Sequence, residues 1–175
     1  MKKYEIVKMT QNDIDDVFAI EELVHPNHHW SKDSFYNELA NNLASYYCVK
    51  NEEAVIKGYI GFWQIIDEAH ITTLAVHPEC RRNQLGQVLL IKTIEECYKN
   101  MIKYITLEVR ESNLPAILLY EKFLFESIGM RKNYYQDNGE NAIIMFTQNI
   151  WYDKFKNNFM KIKEGINKII VSYGE

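Results

Sequence analysis

Apolar and polar positions along the chain follow two different periods, and the clearest change of period lies between residues 71 and 94. Residues 71–76 form an apolar, β-branched run typical of a buried strand, and His77-Pro78 ends it. From Leu85 onward, apolar residues recur at helical spacing and predict a helix over residues 85 to about 99. A strand, a short polar loop and a helix therefore follow one another.

The same two periods predict the other elements of an α/β chain. We expect helices that begin near Thr10, Ser31 and Asn113, where capping residues precede apolar helical patterns. Strands are predicted over residues 4–9, 45–49, 55–66, 70–76 and 104–109, with a closing hairpin of residues 130–135 and 142–147. Short polar turns join three of these strands into an antiparallel meander.

The last part of the chain has its own pattern. Between residues 150 and 170, apolar side chains lie at helical spacing among lysines and asparagines, which predicts an amphipathic C-terminal helix. We therefore divide the chain into a domain over residues 1–148 and a helical extension over residues 149–175. The extension can pack back onto its own domain, which is the commonest case, or bind a second copy or a partner; a membrane-surface role is the least favoured.

Composition narrows the class of protein. A chain of 175 residues with 47% hydrophobic residues suits one domain with a real core. The net charge of -4 argues against direct nucleic-acid binding, and no apolar run reaches membrane-spanning length. Three scattered cysteines, Cys48, Cys80 and Cys97, suggest neither a disulfide framework nor a zinc ribbon. We expect a protein of a reducing compartment, without a membrane and without nucleic acid as a partner.

The polar loop of residues 81–86 is the first candidate for a binding site. It lies at a helix start, where backbone N–H groups have no intrahelical partner and the helix dipole is positive. Such a turn can hold a phosphate or a pyrophosphate. Arg81 and Arg82 add positive charge to it.

This strand, loop and helix resemble the acetyl-CoA motif of the GCN5-related N-acetyltransferases (GNAT). The family pattern is Arg/Gln-x-x-Gly-x-Gly/Ala, in which Arg81 matches the first position and Gly86 the last. Gln84 stands where the first glycine is expected. If that position needs a positive φ, a side chain there costs roughly 1 kcal/mol of strain. Leu124, where the family commonly has glycine, is a second departure.

Two further blocks strengthen the resemblance. Residues 105–123 are similar to the second motif of the RimI-type ribosomal-protein-alanine N-acetyltransferases, and residues 131–135 with 141–145 resemble the closing hairpin of that branch. The likeness spans roughly residues 4–146. It implies a mixed, mostly antiparallel GNAT-like sheet with helices on both faces, splayed between the strands at Ala69 and Tyr104 so that acetyl-CoA enters the gap.

The chemistry of acetyl transfer defines two catalytic roles. An amine attacks a thioester only as the free base, whereas an N-terminal ammonium has a pKa of about 7.7 to 8.0, so a proton acceptor is needed. By resemblance Glu108 is that base, directly or through a water; otherwise it is a solvated glutamate or a partner of Arg110. Coenzyme A leaves as a thiolate, and by resemblance Tyr120 is the acid that meets it; otherwise it is a core aromatic.

The resemblance also assigns the residues that hold acetyl-CoA. Asn113 caps the following helix and touches the coenzyme arm. The other assigned residues lie on the strand before the loop, on the loop, and at the helix start: Leu74, Ala75, Val76, Arg81, Arg82, Asn83, Gln84, Leu85, Gly86 and Gln87. No metal is expected, because the histidine-rich loop of residues 25–30 lacks carboxylates or thiols at ligand spacing.

These observations lead to one functional expectation and two alternatives. The expectation is transfer of an acetyl group from acetyl-CoA to the N-terminal α-amino group of a protein, with the alanine of a ribosomal protein as the leading partner. The alternatives are a GNAT enzyme that acetylates a lysine or a small amine, and a non-catalytic module that binds acyl-CoA. The compartment is bacterial cytoplasm or, since the composition suits an AT-rich genome, plastid stroma; the oligomeric state stays open.

Overall fold

A mixed sheet of eight strands runs through the molecule, which we describe over residues 1–174 from a computed structural model. The strands are β1 (Lys2–Lys8), β2 (Ala44–Asn51), β3 (Ile56–Ile65), β4 (Glu68–Val76), β5 (Tyr104–Arg110), β6 (Phe125–Arg131), β7 (Ala142–Thr147) and β8 (Ile169–Tyr173). The α-helices are α1 (Ile14–Val24), α2 (Lys32–Ala40), α3 (Leu85–Lys99), α4 (Leu114–Lys122) and α5 (Asp153–Glu164).

The strand order in the sheet is β6-β7-β5-β4-β3-β2-β1-β8. Two neighbouring pairs, β4 with β5 and β1 with β8, are parallel, and the other pairs are antiparallel. The predicted meander is formed by β2, β3 and β4. The mixed, mostly antiparallel fold is confirmed.

Each face of the sheet is covered by helices, because strand residues alternate between two hydrophobic clusters. One cluster combines strand residues with buried side chains of α3, α4 and α5, including Leu89, Phe123 and Phe159. The other combines strand residues with α1 and α2, including Val17 and Phe35. The prediction of helices on both faces is therefore confirmed.

Glycines inside β3 mark close approaches to neighbouring groups. A Cβ atom on Gly61 would lie 2.1 Å from Cε1 of Tyr46, whose ring is buried on β2. Immediately after Gly61 the pairing with β4 shifts by one residue, so Thr72 is the extra residue of a β-bulge. The glycine makes room for the aromatic ring, and the bulge bends β4 shortly before it reaches the loop.

The closing hairpin starts earlier than predicted. Its first strand, β6, spans Phe125–Arg131, so residues 132–135 belong to the connecting loop and the predicted strand over 130–135 was wrong for most of its length. The reason is the turn after α4. Leu124 has a φ of 60°, a left-handed conformation that reverses the chain within one residue and lets the strand begin at once.

The C-terminal helix is shorter than predicted. The helix α5 ends at Glu164, followed by Gly165, and residues 169–173 form β8, which pairs parallel to β1 with Lys2 opposite Ile169. The predicted continuation of the helix to residue 170 was therefore wrong. The β-branched run of Ile169, Ile170 and Val171 suits a strand, and the outer edge of β1 supplies the backbone partners that local periodicity does not reveal.

The extension after residue 148 packs against the same core as the rest of the chain. Phe155, Phe159 and Ile162 of α5 are buried in the cluster on the α3 face. The extra C-terminal helix is thus present, while the division of the chain at residue 148 stays a prediction. Within residues 1–174, no helix is both long and apolar enough to cross a membrane.

Candidate active site

A cleft opens where β4 and β5 diverge. The two parallel strands pair over four positions, from Glu68 opposite Tyr104 to Ile71 opposite Leu107, and then separate just before the bulge at Thr72. The cavity between them has a volume of about 770 Å³. Its wall includes four residues predicted from the sequence: Leu74, Glu108, Asn113 and Tyr120.

Glu108 lies where β4 and β5 separate, which we call the fork, and it contacts two basic side chains. Its Oε2 lies 2.7 Å from Nε2 of His70, and its Oε1 lies 3.4 Å from Nε of Arg131. The hydrogen bond from His70 is the main cause that lowers the pKa of Glu108, with the charge of Arg131 adding to it against the effect of burial. Glu108 is therefore a carboxylate at neutral pH, paired with His70 and Arg131 instead of Arg110.

The contact with Glu108 also determines the tautomer of His70. A carboxylate only accepts hydrogen bonds, so Nε2 of His70 must carry a proton. In the neutral ring the lone pair is then on Nδ1. The contact therefore joins His70 and Glu108 into one hydrogen-bonded pair at the mouth of the fork.

Tyr120 stands on α4 and lines the same cavity. Only 7% of its surface is exposed, and its ring packs against Phe125 with the centroids 5.6 Å apart. Burial is the main cause that raises the pKa of its phenol, so the hydroxyl keeps its proton through the neutral range. Tyr120 is thus a core aromatic on the cavity wall whose hydroxyl keeps its proton.

Asn113 positions the start of α4. Its side-chain oxygen accepts a hydrogen bond from the backbone N–H of Ala116 at 3.3 Å, so the predicted cap is confirmed. Pro115 follows in the first turn, where a missing N–H costs nothing. The cap places Asn113 itself on the cavity wall, and its contact with a coenzyme arm stays a prediction.

The predicted phosphate loop lies between Cys80 and α3. Arg82 and Gln84 both have left-handed backbones, with φ of 61° and 63°. The sequence predicted strain at Gln84 if this position needs a positive φ. The structure shows that it does, and a positive φ is the conformation that favours glycine. Gly86 lies in the first turn of α3, where a Cβ would approach Cδ2 of Leu119 to 3.0 Å. The start of α3, where Gln84 makes no capping bond, and the charges of Arg81 and Arg82 suit an anion.

The other predicted cofactor residues do not line the cavity. Ala75 is buried in the cluster formed with α1 and α2, so any contact of Ala75 with acetyl-CoA would use its backbone groups. Val76 packs against the cluster on the α3 face. The rest of the predicted set lies on or beside the phosphate loop at its helix start: Arg81, Arg82, Asn83, Gln84, Leu85, Gly86 and Gln87. Their contact with acetyl-CoA stays a prediction.

Several cavity residues were missed from the sequence. The sequence predicted His70 only as part of a strand. An imidazole near the start of the strand that leads to the phosphate loop is a feature that could have indicated a site residue. Arg110 binds the loop of residues 133–140: its guanidinium donates to both carboxylate oxygens of Asp137 at 3.0 Å and stacks 3.8 Å from the ring centre of Tyr135. Tyr135 lines the cavity, so Arg110 fixes one wall.

The opposite wall comes from the histidine-rich loop and α1. Glu21 is buried and accepts hydrogen bonds from the hydroxyl of Tyr59 and, at 3.1 Å, from the backbone N–H of Trp30. His25 and His28 line the cavity beside Trp30. Among residues 1–174, no three histidine, cysteine, aspartate or glutamate side chains are grouped as metal ligands would be.

Two parallel strands separate beside a cavity, with a loop and a helix start at the end of one strand and a carboxylate on the other, which is the arrangement that the sequence resemblance implied for an acyltransferase. The chain belongs to the acetyltransferase (GNAT) family, whose sequence model matches residues 13–125. It is an acyltransferase, as the resemblance predicted.

The relatives point to one branch of this family. A protein of Bacillus subtilis (strain 168), whose name proposes ribosomal protein bS18-alanine N-acetyltransferase activity, is 42% identical over 146 residues, which cover 82% of this chain and 95% of that protein. The ribosomal protein bS18-alanine N-acetyltransferase of Escherichia coli (strain K12) is 32% identical over 142 residues, which cover 80% and 94%.

A solved structure gives the same result. The crystal structure of the ribosomal-protein-S18-alanine N-acetyltransferase from Escherichia coli matches with a TM-score of 0.76 at 30% identity, over 83% of this chain and 93% of that one. The predicted similarity to the RimI-type branch is confirmed.

Proposed function

We propose that this acetyltransferase transfers the acetyl group of acetyl-CoA to the N-terminal α-amino group of a protein, by direct attack in a ternary complex. The leading substrate is the N-terminal alanine of a ribosomal protein, because the relatives from Bacillus subtilis and Escherichia coli are named for that reaction. The observation that carries the proposal is the paired Glu108 and His70 at the fork of β4 and β5. We assign the chain to the bacterial cytoplasm because both of these relatives are bacterial.

The chain offers a fitting set of groups for acetyl-CoA. The positive helix start of α3, two left-handed loop residues and the side chains of Arg81 and Arg82 suit a pyrophosphate. Residues 74–76 end β4 just before this loop, and Asn113 lies on the cavity wall; we assign the backbone of residues 74–76 and the side chain of Asn113 to the pantetheine arm. Acetyl-CoA supplies the activated thioester, and the chain supplies orientation and proton transfer.

The first task of the protein is to accept a proton from the substrate amine. As nitrogen attacks the thioester carbonyl, a C–N bond forms and the nitrogen must lose a proton. The pair of Glu108 and His70 takes that proton, directly or through a water. Glu108 is ready for this role because the hydrogen bond from His70, together with the charge of Arg131, lowers its pKa and keeps it a carboxylate, while His70 fixes its position.

The second task is to stabilise the leaving group. When the C–S bond breaks, sulfur carries the negative charge, and a phenol that has kept its proton can donate a hydrogen bond to it or protonate it. We assign this role to Tyr120, whose pKa is raised by burial. A fixed donor on a capped helix needs little rearrangement during the reaction.

The deciding experiment is mass spectrometry of two basic peptides incubated with acetyl-CoA. One begins with a free alanine, and the other has the same sequence with a blocked N-terminus and an internal lysine. We expect acetylation of the first peptide at its α-amino group. Acetylation of the blocked peptide alone would exclude N-terminal specificity, and binding of acetyl-CoA without product from any amine would favour the non-catalytic module.

A variant tests the assignment of Glu108. We expect Glu108→Gln to lower kcat about a hundredfold, the lower range of proton-transfer contributions, with little change in the dissociation constant of acetyl-CoA. The matched control is Glu126→Gln, a glutamate exposed on β6. Equal rates in Glu108→Gln and the wild type would remove Glu108 from the mechanism.

A further inference from the structure

The side chain of Gln84 joins the phosphate loop to the C-terminal part of the chain. Its Nε2 donates to the backbone oxygen of Gly165 at 2.9 Å, and its Oε1 accepts from the backbone N–H groups of Asn167 and Lys168 at 3.1 and 2.9 Å. Lys168 adds a fourth bond from its Nζ to the backbone oxygen of Arg82 at 3.3 Å. Both the nitrogen and the oxygen of the Gln84 side-chain amide thus form hydrogen bonds to residues more than eighty positions further along the chain.

This arrangement explains why a side chain is present at a left-handed position. Gln84 has a φ of 63° and precedes α3, where a glycine would avoid strain. Its amide is directed at residues 165–168, and within the described chain it makes no capping bond to α3. The first N–H groups of α3 therefore remain uncapped by this residue and can face an anion.

The segment that Gln84 binds is itself held on both sides. It connects α5, whose Phe159 and Ile162 are buried, to β8, which pairs along its length with β1. Residues 165–168 are therefore a fixed support against which a loop can be positioned.

We propose that Gln84 is a positioning residue for cofactor binding, which uses residues 165–168 to hold the phosphate loop in its anion-binding shape. The inference rests on the proposed role of this loop as the pyrophosphate site of acetyl-CoA. It makes the C-terminal connection a functional part of the cofactor site. The glycine of the family pattern adopts a positive φ without strain and needs no such support. In this chain the three hydrogen bonds of the glutamine side chain hold the same backbone conformation.

The test compares Gln84→Gly with the wild type in the full-length protein. Glycine relieves the backbone strain at this position and removes the three hydrogen bonds. If strain at Gln84 weakens cofactor binding, Gln84→Gly should bind coenzyme A more tightly than the wild type. If the hydrogen bonds position the loop, Gln84→Gly should bind coenzyme A more weakly. We expect the dissociation constant of coenzyme A, measured by calorimetry, and the KM for acetyl-CoA to rise about tenfold, as the net loss of one or two hydrogen bonds gives. The kcat and the KM for the peptide should not change.

Lys163→Ala is the matched control, because it removes a contact between α5 and α3 that does not involve the loop. Its affinity for coenzyme A should equal that of the wild type. Equal or tighter binding in Gln84→Gly, or the same loss in Lys163→Ala, would overturn the positioning role. A wild-type protein that does not bind coenzyme A at all would instead overturn the proposed function of the loop, and this role with it.

Hydrogen exchange supplies a second measurement that does not depend on turnover. Coenzyme A should slow amide exchange at residues 165–168 in the wild type, because these residues are bonded to the loop that binds it. The slowing should be lost in Gln84→Gly and kept in Lys163→Ala. Unchanged exchange at these residues in the coenzyme-bound wild type would contradict the coupling.

Discussion

His70 and Glu108 meet across the fork of the sheet, with Nε2 of the histidine 2.7 Å from Oε2 of the glutamate. The two residues come from β4 and β5, whose pairing ends at Ile71 and Leu107, so the contact lies at the last point where these strands are close. It joins the strand that leads to the phosphate loop with the strand that carries the proposed base. This pair is the basis of the first prediction.

Replacing His70 should affect both the reaction and the titration of Glu108. We expect His70→Ala to lower kcat about a hundredfold, the scale of a positioned proton acceptor, and to raise the pKa of Glu108 because its main hydrogen bond is lost. The pKa can be followed by carbon NMR of labelled glutamate. His29→Ala is the control, since His29 contacts Phe18 and Trp30.

The same change should alter stability against pH in a defined direction. A glutamate whose folded pKa is lowered stabilises the protein above its unfolded pKa, about 4.3, and this contribution is lost as pH falls through the folded value. We therefore expect wild type and His70→Ala to differ in unfolding free energy more at neutral pH than in acid. A difference that grows toward acid would contradict the lowered pKa of Glu108.

Tyr120→Phe tests the donor to the leaving thiolate. A hydrogen bond to a charged group is worth about 1.5–3 kcal/mol, so we expect kcat to fall about tenfold to a hundredfold while the melting temperature stays close to that of the wild type. Tyr98→Phe is a matched phenol control, because its hydroxyl donates to the backbone oxygen of Ile150 at 2.8 Å. We expect Tyr98→Phe to lower the melting temperature and to leave kcat unchanged. If Tyr120→Phe behaved in this way instead, the donor to the thiolate would be another group.

The pH dependence of kcat/KM should report the substrate amine. Because the pKa of Glu108 is below its ordinary value, its carboxylate is already formed at neutral pH. The α-ammonium titrates at about 7.7 to 8.0, so kcat/KM should rise through this range and then level off. A lysine peptide would keep rising toward a pKa of about 10.4, and finding that profile for the alanine peptide would exclude the free α-amine as the reacting form.

Gly61→Ala should destabilise the fold. The added Cβ would lie 2.1 Å from Cε1 of Tyr46, and forcing an extra group into a packed core costs about 1–3 kcal/mol. The unfolding free energy in urea measures this loss. Gly129→Ala in β6 is the control, since the nearest group to its Cβ, Cδ1 of Ile144, is 3.7 Å away. Equal stability of both variants would show that β2 and β3 can move apart at this point.

Sequence reasoning was most successful where the signal is local. The change from strand period to helix period predicted β4, the loop and α3, and the capping signal of Asn113 predicted the start of α4. Blocks of matching residues then indicated the family and suggested Glu108 and Tyr120. These features depend on neighbours within a few positions, which a single sequence displays directly.

Contacts between distant parts of the chain were not predictable in the same way. His70 and Glu108 are separated by 38 positions, and nothing local shows that their side chains converge at a fork between strands. Gln84 looked like a defect of the phosphate loop because its bonding partners begin at Gly165. The strand β8 was mistaken for helix, since its only sheet neighbour among the described residues is β1, at the opposite end of the sequence.

The pairing of β1 with β8 has a consequence for how the protein is made. Ile169 is synthesised long after its partner Lys2. The outer edge of β1 therefore lacks its β8 partner until residues 169–173 have been synthesised, and the support under Gln84 is absent until residues 165–168 have been synthesised. The described sheet is complete only after β8 has left the ribosome, so full affinity for the cofactor should appear only then.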